Sequence, residues 1–271
     1  MQPVLGEASG SLLVTRDGGV VTVTLNRPDK HNAINLAMWQ AFARLMPAFA
    51  ADDGVDVVVF RGPPSGPFSA GADISEFTTL RRTPEDAERY GEAVTSGERA
   101  ILKFPKPTVA MVEGFAIGGG AQVALACDLR LCEPRSRFGI TPAKLGIVYA
   151  LQSTARLADV VGPAWASYIL MTGELVDSAT ALRIGLVHEV SEGLEARTQQ
   201  LVATLSSRAR VSLLGAKALI AKVNEGIRVE DDEVRGHYHD SLHSPEYAEG
   251  VEAFLAKRAP DFKAKRATPS G

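Results

Sequence analysis

The sequence predicts an α/β fold whose last third is helical. Two segments rich in β-branched residues, at 19–25 and 55–60, alternate with segments whose apolar residues recur at helical spacing. From Gln152 onward the pattern is mostly helical, and the 271 residues contain no internal repeat and no low-complexity tract. We therefore expect the helical third to pack on the core or on another subunit.

The first elements are two strands that flank a helix. Residues 19–25 (GVVTVTL) predict a strand, and residues 26–29 (NRPD) have the composition of a turn. Residues 33–51 place apolar side chains on one helical face, and Pro47 is expected to bend this helix or end it early. Residues 55–60 (VDVVVF) form a nearly continuous apolar run, which is typical of a parallel strand buried on both faces.

A loop rich in glycine and proline follows this buried strand, over residues 61–73. Ligands of open α/β sheets bind beyond the carboxyl ends of the strands, so this loop is a candidate site. Asp73 and Glu76 have the spacing of a capping box, which predicts a helix beginning at Ile74 with Asp73 as its cap.

A second candidate site lies at residues 109–122, where a strand, a tight turn and a helix follow one another. The turn contains glycines 114, 118, 119 and 120. Glycine permits close approach of the backbone to a ligand, and the first turn of a helix has N–H groups without internal partners. Such donors could bind phosphate oxygens or a carbonyl oxygen that becomes negative during a reaction, and close packing is the structural alternative.

The remaining segments continue the alternation and then become helical. We expect a charged surface helix at residues 84–103, a short strand at 128–131, a loop at 138–149, helices at 161–170, 178–184, 195–207 and 211–223, and an extended piece at 186–190.

Composition excludes several classes of protein. Apolar residues make up 45% and charged residues 23%, which are ordinary globular values, and the net charge of −3 gives no reason to expect nucleic acid or membrane as a partner. Cys127 and Cys132 form no metal-binding pattern, so we expect no metal and no separate cofactor. Residues 1–10 show no export signal, which predicts a cytoplasmic protein.

Four ordered motifs carry a family resemblance: residues 26–33 (NRPDKHNA), 68–74 (FSAGADI), 114–120 (GFAIGGG), and Phe138-Gly139 followed by Leu145-Gly146. Together they resemble the crotonase superfamily, also called the enoyl-CoA hydratase/isomerase family. The resemblance implies a ββα spiral core, assigned to residues 1–200, and a C-terminal helical trimerisation region at residues 201–271. It also implies homotrimers or dimers of trimers, and a substrate carried as a coenzyme A thioester.

The resemblance also implies roles for individual residues. The backbone N–H groups of Ala72 and Gly119 match the family's oxyanion hole, in agreement with the glycine turn described above. Two such donors would polarise the thioester carbonyl and stabilise an enolate.

Coenzyme A contacts are implied at four further positions. The carbonyl of Ala70 matches the family's adenine contact, and Phe254 and Lys257 match residues that meet the adenine and the 3′-phosphate. Lys30 is a candidate for the phosphates or an ordinary solvated lysine.

The two glutamates that hydratases of this family use are absent. Gln122 and Pro142 stand at their positions, and neither side chain can act as a general base. Gln122 could hold a water or a substrate carbonyl, or serve as a structural amide. The usual route of water addition is therefore not expected.

A local resemblance to methylmalonyl-CoA decarboxylase extends over residues 104–107, 111–114, 141–149 and 244–262, and Tyr149 matches the tyrosine that helps orient the leaving carboxylate there. Ala72 and Gln122 depart from that relative, which has a histidine and a carboxylate at these positions. Decarboxylation needs no base, because loss of CO2 leaves the electron pair at Cα.

The sequence thus favours decarboxylation of a malonyl-type thioester and leaves two alternatives open. The first is isomerisation or atypical hydration of an enoyl-CoA with another base, such as Glu113 or one of His237, His239 and His243. The second is an acyl-CoA-binding protein with little catalysis.

Overall fold

The computed structural model of the protein describes residues 2–3 and 10–266. Its strands are β1 (Gln2–Pro3), β2 (Leu12–Asp17), β3 (Val20–Leu25), β4 (Val57–Arg61), β5 (Thr108–Val112), β6 (Phe115–Ile117), β7 (Leu129–Cys132), β8 (Arg137–Gly139), β9 (Val176–Asp177) and β10 (Glu189–Val190). Its α-helices are α1 (Leu36–Ala51), α2 (Phe77–Leu80), α3 (Pro84–Leu102), α4 (Gly119–Ala126), α5 (Leu151–Thr172), α6 (Ser178–Arg183), α7 (Leu194–Ser206), α8 (Arg210–Asn224), α9 (Asp232–Leu242), α10 (Pro245–Leu255) and α11 (Phe262–Arg266). Short 3-10 turns occupy Pro28–Lys30, Ile74–Glu76 and Pro142–Leu145.

The strands form one large sheet and one small sheet. The large sheet has the order β1-β2-β3-β4-β5-β7-β10. Strands β3, β4, β5, β7 and β10 run parallel to one another, whereas β2 pairs antiparallel with both β1 and β3. The small sheet has the order β6-β8-β9, with β6 and β8 parallel. Because β5 and β6 are joined by only two residues, the chain passes from one sheet to the other just before the glycine turn.

Helices cover both faces of the large sheet, as the apolar run at residues 55–60 predicts. Val58 and Phe60 point into the main core, where they meet α1. Val57 and Val59 point the other way, into a smaller cluster that includes Leu194 of α7. Successive residues of a strand point to opposite faces, so a strand covered on both sides must be apolar throughout.

Three predicted boundaries were wrong. Helix α1 does not end early, since it continues for four residues past Pro47 to Ala51. The segment 138–149 is not all loop, because Phe138 lies in β8 and is buried in the main core. The helix expected at residues 161–170 begins ten residues earlier, at Leu151, and is interrupted at Gly162, which adopts φ 76°.

The helical pattern predicted from Gln152 onward is also observed, and it contains α5 to α11. Asp56, just before β4, ties this region to the core through ion pairs with Arg210, Lys263 and Arg266. Among the residues described, no helix is both long and apolar enough to cross a membrane.

Candidate active site

The loop after β4 is held by the turn that precedes α1. Asn32 is fully buried and adopts φ 59°, its Oδ1 accepts the N–H of Arg27 at 3.0 Å, and its Nδ2 donates to the carbonyl of Pro67 at 2.6 Å. The N–H of Ala70 donates to the carbonyl of His31 at 3.0 Å. These bonds place His31, the neighbour of Lys30 in the chain, beside Ala70.

Ala72 lies in a single parallel bridge to Ile34. The N–H of Ile34 donates to the carbonyl of Gly71 at 2.7 Å, and the N–H of Asp73 donates to the carbonyl of Ile34 at 2.9 Å. Because the residues on either side of Ala72 make these bonds, the N–H of Ala72 itself points away from Ile34. It donates no hydrogen bond to any residue in the described ranges.

Helix α4 begins beside Ala72. Gly118 caps it with φ 48° and ψ −113°, a conformation that favours glycine, and its N–H donates to the carbonyl of Gly139 at 2.8 Å. The next N–H, that of Gly119, is the first of the helix and has no acceptor among the residues described. A Cβ atom built on Gly119 would lie 3.4 Å from the nitrogen of Ala72. Gly119 and Ala72 are therefore neighbours, and each has an N–H group without an acceptor among the residues described.

Asp73 fixes the position of Ala72 from the other side. Its carboxyl accepts hydrogen bonds from the Ser75 N–H at 3.1 Å and from Nη2 of Arg27 at 2.7 Å. Although burial opposes ionisation, these bonds hold the pKa of Asp73 below its usual range. The predicted cap is thus confirmed, and the same carboxylate also forms a buried ion pair.

The predicted capping box is incomplete. Glu76 does not bond back to the N–H of Asp73, which donates to Ile34. Its Oε2 instead accepts the N–H of Leu36 at 2.8 Å, at the first residue of α1. Glu76 therefore joins the loop to α1, and the helix that follows Asp73 starts as a 3-10 turn.

A buried polar cluster lies behind the first turn of α4. Gln122 donates from Nε2 to Oε2 of Glu98 at 2.8 Å and to Oγ of Ser153 at 2.9 Å. The same oxygen of Glu98 accepts from Ser153 Oγ at 2.7 Å and from Nε2 of Gln152 at 3.1 Å. Glu98 is 1% exposed, and its other oxygen, Oε1, is enclosed without a hydrogen-bond partner in the described part of the chain.

The surroundings of Glu98 favour its neutral form. Burial raises the pKa of Glu98, although the hydrogen bonds from Ser153, Gln122 and Gln152 oppose the shift. Tyr149 adds a second polar group, since its hydroxyl is enclosed and has no hydrogen-bond partner. Burial and the neighbouring Glu98 carboxyl raise the pKa of Tyr149.

Replacing this carboxyl should change how stability depends on pH. A carboxyl whose pKa is raised by folding contributes stability that is lost as the pH rises from about 4.3 through the folded pKa. We therefore expect Glu98→Gln to gain stability relative to the parent protein across that range. Urea unfolding at a series of pH values measures this, and a constant difference between the two proteins would show that Glu98 is not the titrating group.

No side chain that can act as a base stands at the two positions where hydratases of the family have glutamates. Gln122 is 5% exposed and both N–H bonds of its amide are used inside the cluster. Pro142 begins the 3-10 turn that precedes Gly146.

Glu113 lies on the wrong face of the sheet for an alternative base. Met111 faces α7 and Val112 faces the main core, so the alternation of β5 turns Glu113 toward the α7 side. There it pairs with Arg61 at 3.4 Å, and Arg61 also pairs with Glu195 of α7. Burial raises the pKa of Glu113. No contact among the described residues joins Glu113 to Gly119.

The C-terminal candidates belong to a separate part of the chain. His239 of α9 and His243, which follows that helix, stack with ring centroids 4.0 Å apart, and His237 faces Gly215 of α8. Phe254 is 83% exposed at the end of α10, and Lys257 follows with φ 54°. Among the described contacts, none joins these residues to Ala70, Ala72 or Gly119, so this chain alone does not unite the predicted site.

The sequence analysis missed Glu98 and Ser153. Residues 84–103 have the composition of a charged surface helix. The prediction that this helix lies on the surface was wrong for Gly97 and Glu98, which are buried. A Cβ on Gly97 would lie 2.6 Å from the carbonyl of Trp39, so this face of α3 packs tightly on α1. The glycine next to Glu98 was the signal of that close packing.

Comparisons with known proteins find similarity along almost the whole chain. A sequence profile of the enoyl-CoA hydratase/isomerase family matches residues 15–265. A relative from Rhizobium meliloti, named probable enoyl-CoA hydratase, is 32% identical over 260 residues, which are 93% of this chain and 98% of the relative. Carnitinyl-CoA dehydratase from Salmonella typhi is 34% identical over 269 residues, which are 95% of this chain and all of the relative.

A solved structure shows the same similarity in three dimensions. The enoyl-CoA hydratase/carnithine racemase from Magnetospirillum magneticum superposes with a TM-score of 0.89 at 34% identity. The superposition covers 93% of this chain and 95% of that chain.

Proposed function

The chain belongs to the enoyl-CoA hydratase/isomerase family, the crotonase superfamily, and on that premise we propose that it is an enzyme that forms an enolate of a coenzyme A thioester. The thioester oxygen would accept hydrogen bonds from the N–H groups of Ala72 and Gly119. The observation that carries this proposal is that Ala72 and Gly119 are neighbours and that neither N–H has an acceptor among the described residues. Donors fixed where negative charge develops contribute strongly to catalysis of this kind.

Within this class we propose decarboxylation of a malonyl-type thioester. Gln122 and Pro142 offer no base to remove a proton from Cα or to activate water, and Glu113 is engaged by Arg61 on the other face of the sheet. Loss of CO2 needs no base, because the electrons of the broken C–C bond become those of the enolate. Tyr149, whose enclosed hydroxyl has no hydrogen-bond partner among the described residues, is the candidate for orienting the leaving carboxylate.

A second candidate is isomerisation or atypical hydration of an enoyl-CoA. The printed names of the relatives, a probable hydratase and a dehydratase, favour it. This reaction requires a base other than residues 122 and 142. A third candidate is binding of acyl-CoA with little catalysis. It would not account for the free N–H groups of Ala72 and Gly119.

Assays of the purified protein with methylmalonyl-CoA and crotonyl-CoA in parallel separate these candidates. We expect release of CO2 from the first and no loss of the enoyl absorbance of the second. Hydration of crotonyl-CoA without CO2 release would replace the proposal with the second candidate. Binding of both esters without turnover would support the third.

We also propose that residues 201–271 assemble the chain into a homotrimer or a dimer of trimers. Apolar side chains on the surface of α10 support this, since Phe254 and Leu255 are 83% and 76% exposed. In such an assembly Phe254 and Lys257 would meet coenzyme A bound to a neighbouring chain.

Leu255→Glu is expected to reduce the mass of the assembly measured by light scattering, because a carboxylate is costly to bury in an apolar contact. Met171→Glu, at a 78% exposed position on α5, is the matched control and should keep the parent mass. A parent protein that is already monomeric, or equal loss of assembly in both variants, would contradict the assignment of the interface to α10.

A further inference from the structure

The burial and hydrogen bonding of the Glu98 carboxyl are not explained by the stability of the fold alone. It is 1% exposed, one carboxyl oxygen accepts three hydrogen bonds, and the other is enclosed with no partner in the described residues. A buried carboxyl with an unused oxygen reduces stability, and a glutamine or an apolar residue would avoid that penalty. Buried titratable groups of this kind are candidates for a catalytic role.

Its location is next to the proposed oxyanion hole. Gln122 is three residues after Gly119, so the two lie on the same face of α4, and side chains of a helix lean toward its N-terminus. The amide of Gln122 therefore extends over the turn that carries the Gly119 N–H, and Glu98 touches that amide at 2.8 Å. The carboxyl thus lies one hydrogen bond behind the position at which hydratases of the family have a glutamate.

The charges around Glu98 leave it able to exchange a proton. Three elements pack against it: α4 with Gln122, α5 with Gln152 and Ser153, and the segment before α5 with Tyr149. The charged groups nearby are Arg156 of α5, which is bonded to backbone carbonyls, and Arg99, which is exposed and bonded to Gln152. Neither forms an ion pair with Glu98 among the contacts described, and the charge of Arg156 only partly opposes the rise in the pKa of Glu98 that burial causes.

We propose that Glu98, through Oε1, transfers the proton at Cα of the thioester. The inference rests on the proposed function and supplies the acid that decarboxylation needs. After CO2 leaves, the O–H bond of the neutral carboxyl breaks, its proton forms the new Cα–H bond, and the enolate returns to a thioester. The carboxylate that remains is stabilised by the three donors at Oε2 and regains a proton from water before the next turnover.

The same transfer in reverse gives a test that does not require decarboxylation. Propionyl-CoA labelled with deuterium at Cα would lose its label to water when the ionised Glu98 removes a deuteron. We expect the parent protein to catalyse this exchange, with a rate that rises with pH through the folded pKa of Glu98. Binding of propionyl-CoA is measured in parallel by calorimetry.

Glu98→Gln keeps an oxygen for the three donors but cannot transfer a proton. We expect it to bind propionyl-CoA with the parent affinity and to exchange about a hundredfold more slowly. Glu98→Asp should restore part of the rate. Ser153→Ala removes a hydrogen bond that lowers the pKa of Glu98, so the midpoint of its pH profile should move upward. A merely structural role would not move that midpoint.

The outcomes distinguish the role of Glu98 from the proposed function of the protein. Exchange at the parent rate in Glu98→Gln, or binding without exchange in the parent protein, would overturn the role of Glu98 and leave the proposed function standing. Failure of the parent protein to bind any coenzyme A thioester would overturn the proposed function itself.

Discussion

A methyl group at Gly119 is expected to lower thioester turnover by about two to three powers of ten without unfolding the protein. The Cβ of Gly119→Ala would lie 3.4 Å from the Ala72 nitrogen and 3.4 Å from Cζ2 of Trp39. Both distances are tight and tolerable, so the fold should accept the methyl. The methyl would narrow the space between Gly119 and Ala72 in which the thioester oxygen is proposed to bind.

Gly91→Ala is the matched control for this change. Gly91 lies in α3, and a Cβ there would meet no atom within 4 Å. We expect the control to keep full activity, and both variants to melt within a few degrees of the parent. Full activity in Gly119→Ala would show that the oxygen is not bound between Ala72 and Gly119.

Asp73→Ala is expected to reduce the free energy of unfolding by about 3 kcal/mol, because it leaves the Arg27 guanidinium without its buried partner. Asp73 is 5% exposed, and the pair is 2.7 Å apart. The change also removes the cap on the Ser75 N–H. Since Asp73 follows Ala72 directly, we expect turnover to fall as well. Urea unfolding and the thioester assay measure the two effects.

The pH dependence of this interaction has a definite sign. The pKa of Asp73 is lowered by folding, so its contribution to stability is present above about pH 3.9 and is lost as the pH falls through the folded value. Asp73→Ala should therefore differ most from the parent near neutral pH, and the difference should shrink in acid. A difference that stays constant down to acid pH would mean that the carboxylate charge is not what stabilises the loop.

Local sequence was sufficient for much of the fold. Strands β3 and β4 and helices α1, α3 and α7 follow from patterns within single segments, and the crotonase-type α/β fold implied by the family motifs is confirmed. The N-cap at Asp73 could be predicted because a cap depends only on the residues that follow it.

Features that depend on contacts between distant segments could not be predicted. Pro47 does not end α1, whose buried face, including Met46 and Phe49 on either side of it, packs in the core. Glu76 has a capping-box spacing, but the N–H it binds belongs to Leu36, 40 residues earlier in the chain. Glu98 lies in a charged segment, and only the packing of α3 against α1, α4 and α5 makes it a buried carboxyl.

The most direct test of the proposed oxyanion hole is the vibrational frequency of the bound thioester carbonyl. Crotonyl-CoA labelled with 13C at the carbonyl, bound to the parent protein, should show a C=O stretch at lower frequency than in water, since two N–H donors polarise the bond. In Gly119→Ala the shift should be lost or much reduced. A carbonyl that binds to the parent protein at its solution frequency would contradict the assignment of Ala72 and Gly119 as the groups that stabilise the enolate.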